Sequence, residues 1–166
     1  MASGKFLLEF PFNLRASQNK YLHFLVHLNL IIRIKIYLLM ANTIIHSSHA
    51  PAPIGPYSQA ILAQGVLYVS GQIALDPHSG HLVNADIEGE THQVMKNLQA
   101  ILQQAGFTFA EVVKCTIFVK DLNHFSRINS VYGSYFTQQA PARETVEVSR
   151  LPKDVNVEIS CIAVKG

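Results

Sequence analysis

Two residues stand out for the chemistry their surroundings allow. Arg143 follows Pro141-Ala142 and enters a segment that alternates like a strand, so its guanidinium is not one of many scattered over a helix surface. A planar guanidinium donates two parallel hydrogen bonds, a fork that suits a carboxylate and that lysine does not copy. Glu158 lies in the otherwise apolar run Val157-Glu158-Ile159-Ser160-Cys161-Ile162, on the strand face it shares with Ser160 and Ile162. A carboxylate in such a run needs a partner. The plainer alternative for both is an ordinary ion pair between strand residues. Ser70-Gly71-Gln72, at a strand end, reads either as a turn closing a hairpin or as backbone amides offered to a ligand.

Other familiar chemistries lack their residues. The sequence contains no Gly-rich phosphate loop, Walker lysine, HExxH pair or GxSxG elbow, which removes the usual support for nucleotide hydrolysis, zinc proteolysis and serine hydrolysis. His78 and His81 share a turn, where polar histidines are usually solvated, and His23 and His27 have helical spacing but no third ligand near, so no metal site is expected. His46, His49, His92 and His124 read as surface residues. Cys115 and Cys161 fall in apolar strand-like runs and read as core thiols, with a disulfide left open. Two cysteines without a clear secretory signal point to a reducing compartment, the cytoplasm.

The elements that must position these residues follow from pattern. Thr43 to Ile45 is a short apolar stretch, and Ala50-Pro51-Ala52-Pro53-Ile54-Gly55-Pro56-Tyr57 is a loop whose prolines forbid helix and suppress ladder pairing. Gln59 to Ala63 and Val66 to Ser70 flank Gln64-Gly65 as a hairpin, and Asp76-Pro77-His78-Ser79-Gly80 is a second turn. Val94, Leu98, Ile101, Leu102 and Ala105 predict an amphipathic helix between Asp86 and Ala105, stopped by Gly106. Val112 to Val119 predicts a strand. Asp121-Leu122-Asn123 then caps a second helix bearing Phe125, Ile128, Tyr132, Tyr135 and Phe136 and ended by Pro141. Glu144 to Val148 and Val155 to Val164 are the last two strands. The order implies an α+β fold with a mixed sheet, whose two helices cover one face. The other face also carries apolar side chains, which predicts burial against further copies of the chain.

The chain has 166 residues, 49% of them hydrophobic and 14% charged, enough for one ordinary globular domain. Its net charge of +2 comes from the first 39 residues, where Lys5, Arg15, Lys20, Arg33 and Lys35 face only Glu9. The remainder is weakly acidic, without the basic stripe that nucleic-acid binding needs. Tyr21 to Leu39 is strongly apolar but contains Arg33 and Lys35. Their insertion cost of about 3 kcal/mol each cancels a dozen gains of about 0.5 each, so no membrane span is expected. Residues 1–39 read as an upstream stretch before a start at Met40, with a mitochondrial targeting segment as the alternative.

From Met40 to the end, in unbroken order, several motifs resemble the reactive intermediate deaminase family (RidA, also called YjgF). They are Ile54-Gly55-Pro56-Tyr57-Ser58-Gln59, Ser70-Gly71-Gln72, Val119-Lys120-Asp121-Leu122-Asn123, Pro141-Ala142-Arg143, Arg150-Leu151-Pro152-Lys153 and Val157-Glu158-Ile159. The resemblance makes residues 40–166 the domain and implies a chorismate-mutase-like α+β fold. It also implies a homotrimer with clefts at subunit interfaces and hydrolysis of 2-aminoacrylate and related imines to 2-oxo acids and ammonia without a cofactor. Carried over by motif, Arg143 binds the substrate carboxylate and Glu158 orients or activates water. Tyr57, Ser70 and Gly71 line the cleft, Asn129 contributes from the second helix, and Thr145 offers backbone donors. Two departures are Glu144, in place of a small residue, and Thr145, where many members have Cys, Ala or Thr-like residues. Strand alternation turns Glu144 away from Arg143 and Thr145. Two other classes share the same residues: a non-catalytic metabolite-binding regulator, and a trimeric holdase-like interaction protein. A nuclease gains nothing from the acidic balance.

Overall fold

The computed structural model describes residues 23–32 and 42–165. The chain divides into two units, Met1–Met40 and Ala41–Gly166. In the first, residues 23–32 are helical, and the His27 ring Nδ1 lies 3.1 Å from the His23 carbonyl oxygen one turn back. The reading of residues 1–39 as an upstream or targeting stretch falls largely outside the described residues. Among the described residues no helix is long and apolar enough to cross a membrane.

The second unit runs β1 (Thr43–Ile45), β2 (Ala60–Ala63), β3 (Val66–Gln72), α1 (Ile87–Gln104), β4 (Val112–Val119), α2 (Phe125–Gly133), β5 (Ala142–Glu147) and β6 (Val157–Val164). Local chemistry sets the joints. Gln64 (φ 51°) and Gly65 (φ 81°) are both left-handed, the turn that matches the twist of a two-residue hairpin. Asp86 caps α1 by accepting the Gly89 amide at 2.7 Å, and Gly106 at φ 76° ends it. The second helix is shorter than its apolar pattern predicts. The amides of Ser134, Tyr135 and Phe136 donate to carbonyls three residues back, and Ser134 Oγ donates to the Val131 carbonyl at 2.6 Å, so α2 unwinds long before Pro141. Tyr135 and Phe136 still pack on the core from those turns.

The six strands form one sheet in the order β1-β2-β3-β6-β4-β5. Only β4 and β5 are parallel, because the chain crosses over through α2 between them. β6 inserts between β3 and β4, antiparallel to both. Val157, Ile159, Cys161 and Ala163 of β6 are buried beneath the helices, while Glu158, Ser160, Ile162 and Val164 point to the opposite face. Val94, Leu98, Ile101 and Leu102 of α1 fill the core from above. Cys115 and Cys161 are register partners in that core, both buried and both free.

The face without helices carries a register row of Ile44, Ile61, Tyr68 and Ile162. Ile44 is 67% exposed and Tyr68 49%, an apolar stripe of the kind that marks an interaction surface. Entry into β6 is fixed from the other side by a residue to which sequence reading assigned no role. The fully buried carboxylate of Glu90 in α1 accepts the Asn156 amide at 2.6 Å, the Asn156 side chain at 2.8 Å and the Val157 amide at 3.3 Å. Glu158 is the next residue.

Candidate functional site

A cavity of about 280 Å³ opens at Glu158, lined also by Ile54, Tyr57, Ser70, Gly71, Ile73 and Pro152. The Pro-rich loop that supplies Ile54 and Tyr57 is locked by Gln59, buried at the start of β2. Its Oε1 accepts the Ser47 amide at 2.7 Å, and its Nε2 donates to the carbonyls of Ser47, Ala50 and Pro51 at 3.1, 3.2 and 2.8 Å. One side chain thereby satisfies the carbonyls of a segment whose prolines have no amide to pair. Tyr57 Oη in turn accepts the Ile54 amide at 3.3 Å. Pro152 is presented by a turn in which Lys153 (φ 55°) and Asp154 (φ 58°) are both left-handed, held by the forked ion pair of Arg150 to Asp154 at 2.7 and 2.9 Å.

Gly71 decides where the Glu158 carboxyl lies. The register of β3 on β6 shifts between Val69 and Gln72, and a Cβ on Gly71 would stand 1.9 Å from Glu158 Oε1 and 2.8 Å from Cδ. Only glycine lets the carboxyl fold over the strand into the cavity. Glu158 is half-buried there and accepts no hydrogen bond among the described residues, and burial pushes its carboxyl above the ordinary glutamate range. Ser70 lines the cavity, but its polar groups are engaged: the amide donates to the Gln59 carbonyl at 3.0 Å and the hydroxyl to the Ser58 carbonyl at 2.7 Å. Ser70 thus meets the cavity as part of its wall, with its amide and hydroxyl engaged within the chain.

Arg143 stands on the other face. β5 is the sheet edge, and Arg143 turns under α2, where Nη1 donates to Asn129 Oδ1. The guanidinium carbon lies 5.1 Å from the Tyr132 ring centroid and 5.6 Å from that of Phe125. Phe125, Asn129 and Tyr132 are spaced to share one stripe of α2. Nε and Nη2 have no partner among the described residues, so one edge of the fork stays open. Thr145 shares this face, its Oγ1 buried without a hydrogen-bond partner among the described residues. Asn129, expected to line the cleft, is seen holding Arg143. Glu144 faces the opposite way, as alternation predicts. It accepts from Lys114 Nζ and Thr116 Oγ1, and these contacts hold its carboxyl below the usual range.

Arg143 and Glu158 do not form the ion pair that was the plainer alternative. Arg143 is opposite Cys115, and Glu158 is opposite Phe118, three residues farther along β4 and on the other side of the sheet. One chain thus holds two separate halves: an open cationic fork with aromatic walls, and a cavity with a proton-poised carboxyl. His78 and His81 are exposed in their turn, whose amides at His78 and Ser79 are capped by Asp76 at 3.0 and 2.7 Å. Sequence reading missed Gln59 and the aromatic neighbours of Arg143. The spacing of Phe125, Asn129 and Tyr132 on one helix face was the available signal for the latter.

A mixed sheet with two helices on one face is an architecture shared with solved proteins. The structure described as E. coli TdcF with bound serine superposes with a TM-score of 0.72 at 38% identity, covering 75% of this chain and 99% of that one. A family model described as Endoribonuclease L-PSP matches residues 47–165, and the chain belongs to that family, the YjgF/RutC/RidA proteins. A RutC family protein of Pyrococcus horikoshii is 51% identical over 122 residues, 74% of this chain and 97% of the relative. The 2-iminobutanoate/2-iminopropanoate deaminase of Bos taurus is 46% identical over 127 residues, 76% of this chain and 93% of the relative.

Proposed function

We propose that this protein hydrolyses reactive 2-imino acids and their enamine tautomers to 2-oxo acids and ammonia, in clefts each built from two copies of the chain. The observation that carries the proposal is the separation just described. A two- to four-carbon imino acid cannot touch Arg143 and Glu158 of one protomer, yet each half lacks what the other supplies. A homotrimer that sets the Arg143 edge of one subunit over the Glu158 cavity of the next makes the site whole and covers the apolar open face. The curated deaminase relative and the amino acid bound to TdcF support a substrate of this class.

In this cleft the open edge of Arg143 receives the carboxylate in a bidentate pair. The imine carbon then sits over Glu158, whose carboxylate takes a proton from water as the oxygen attacks C2. Attack on the nitrogen-protonated imine gives the neutral carbinolamine. It collapses as the carboxyl gives its proton to nitrogen and the C2 hydroxyl then gives its own to the carboxylate, so that C–N breaks, C=O forms, and ammonia and the 2-oxo acid leave. An enamine first gains a proton from water at C3 to become that protonated imine. Ile54, Tyr57 and Ile73 receive the small side chain. The reaction contains no redox or group-transfer step, so it calls for no cofactor. A ribonuclease finds less support at this cavity, whose lining has one carboxyl and no cation.

The test is turnover: 2-iminopropanoate generated by an amino-acid oxidase should disappear faster than its spontaneous hydrolysis, with ammonia and pyruvate formed in equal amounts. A regulator or holdase using the same surfaces would leave the spontaneous rate unchanged. A second expected outcome concerns Gly71. In Gly71→Ala the new methyl group displaces the end of a flexible side chain and no backbone atom, so the melting temperature should stay within a few degrees of wild type. Activity should fall about a hundredfold, since a misplacement of about 1 Å carries that penalty. A fully active, well-folded Gly71→Ala would contradict the placement of Glu158.

A further inference from the structure

We propose that Tyr132, with Phe125, is a positioning residue that clamps the Arg143 guanidinium so that its carboxylate-binding edge is fixed before substrate arrives. This rests on the reading of Arg143 as the carboxylate anchor. A side chain as long as arginine on an edge strand has many rotamers to lose, and a single hydrogen bond from Nη1 to Asn129 leaves it free to swing about that contact. The two ring faces, 5.1 and 5.6 Å from the guanidinium carbon, restrict that swing and attract the cation.

Tyr132 contributes its ring, not its hydroxyl. The residue is only 4% exposed, so it does not reach a ligand. Its Oη is buried beside the Cys115 thiol, and among the described residues it makes no other polar contact. Burial pushes the phenol strongly up, so it stays neutral and offers the guanidinium no counter-charge. The ring itself is held from behind: its centroid is 4.8 Å from that of Phe136, which meets Phe109 edge-on at 5.3 Å. These tilted and edge-on rings continue the clamp into the core, which gives Phe136 and Phe109 a place behind the anchor.

The test compares Tyr132→Phe, which keeps the ring, with Tyr132→Leu, which removes it. Tyr132→Phe should keep the KM for 2-iminopropanoate and melt within a few degrees of wild type, because the hydroxyl gives up only its contact with the Cys115 thiol. Tyr132→Leu should raise KM about tenfold, with a smaller change in kcat. The Arg143 Nε–Hε NMR signal, shifted by the rings in wild type and in Tyr132→Phe, should move in Tyr132→Leu toward the position of free arginine, with Phe125 keeping part of the shift. If Tyr132→Leu does not fold, Phe125→Leu at the half-buried start of α2 provides the same two readouts. A folded leucine variant with unchanged KM and an unmoved Arg143 signal would overturn the clamp while leaving turnover by wild type intact. Absence of turnover in wild type, with the Arg143 signal of the leucine variant moved away from its wild-type position, would instead overturn the deaminase reading and keep the clamp.

Discussion

Arg143→Ala is expected to lower kcat/KM for 2-iminopropanoate by about a thousandfold. Truncating one partner of a hydrogen-bonded charge pair costs about 2–5 kcal/mol, and each 1.4 kcal/mol is tenfold. Both parameters should suffer. KM rises because the carboxylate loses its fork, and kcat falls because a substrate held loosely no longer presents C2 to the water over Glu158. Arg143→Lys should recover only a small part, since an ammonium supplies a point charge and no planar pair of donors. The fold should tolerate the change: Arg143 lies on an edge strand, and its side-chain hydrogen bond among the described residues goes to the half-exposed Asn129. Steady-state kinetics with a thermal melt on each variant decides it. An alanine variant as fast as wild type would remove the anchor from the account.

Glu158→Gln is the second large effect, and it separates activity from stability. Removing a general base costs roughly a hundred- to ten-thousandfold in kcat. The pH dependence has a definite sign. Burial raises the Glu158 pKa, so the base is lost as pH falls through a value above that of an exposed glutamate, and the acid limb of kcat/KM should lie correspondingly high. Glu158→Gln should abolish that limb. For stability the same shift acts the other way. A carboxyl whose folded pKa is raised binds more protons folded than unfolded, so its contribution is fully present below the unfolded pKa and declines as pH rises through the folded one. Glutamine avoids that loss. On burial alone the variant should therefore melt above wild type at neutral pH and alike in acid, a gain that the Arg143 fork of the neighbouring copy, across the cleft, reduces. A melting temperature that falls at neutral pH would mean that Glu158 has a favourable partner there.

The fold was legible wherever a local rule acts alone. Gly106 stops α1, Gln64-Gly65 makes the hairpin, and alternation correctly turned Glu144 away from Arg143. Two classes of fact were not local. Where α2 ends depends on Ser134 competing for the Val131 carbonyl, which a hydrophobic period extending to Phe136 conceals. Which faces Arg143 and Glu158 present to each other depends on strand order. β6 returns between β3 and β4 while β5 lies at the edge, and nothing in either strand's own pattern specifies that arrangement. The buried polar residues Gln59 and Glu90 escaped for a related reason, since each looks like a surface residue until the loop or strand it satisfies is folded against it. The motifs shared with the deaminase family pointed to Arg143 and Glu158, but not to their occupation of opposite faces.

That opposition is tested most directly by mixing. Arg143→Ala and Glu158→Gln subunits, each nearly inactive alone, should be unfolded together in equal amounts and refolded, with mixed oligomers verified by native mass spectrometry. If every cleft takes Arg143 from one copy and Glu158 from its neighbour, chance assembly leaves both groups intact in about a quarter of the clefts. The mixture should therefore recover about that fraction of wild-type turnover. Mixed oligomers that stay as inactive as either parent would show that the two residues do not serve a shared cleft.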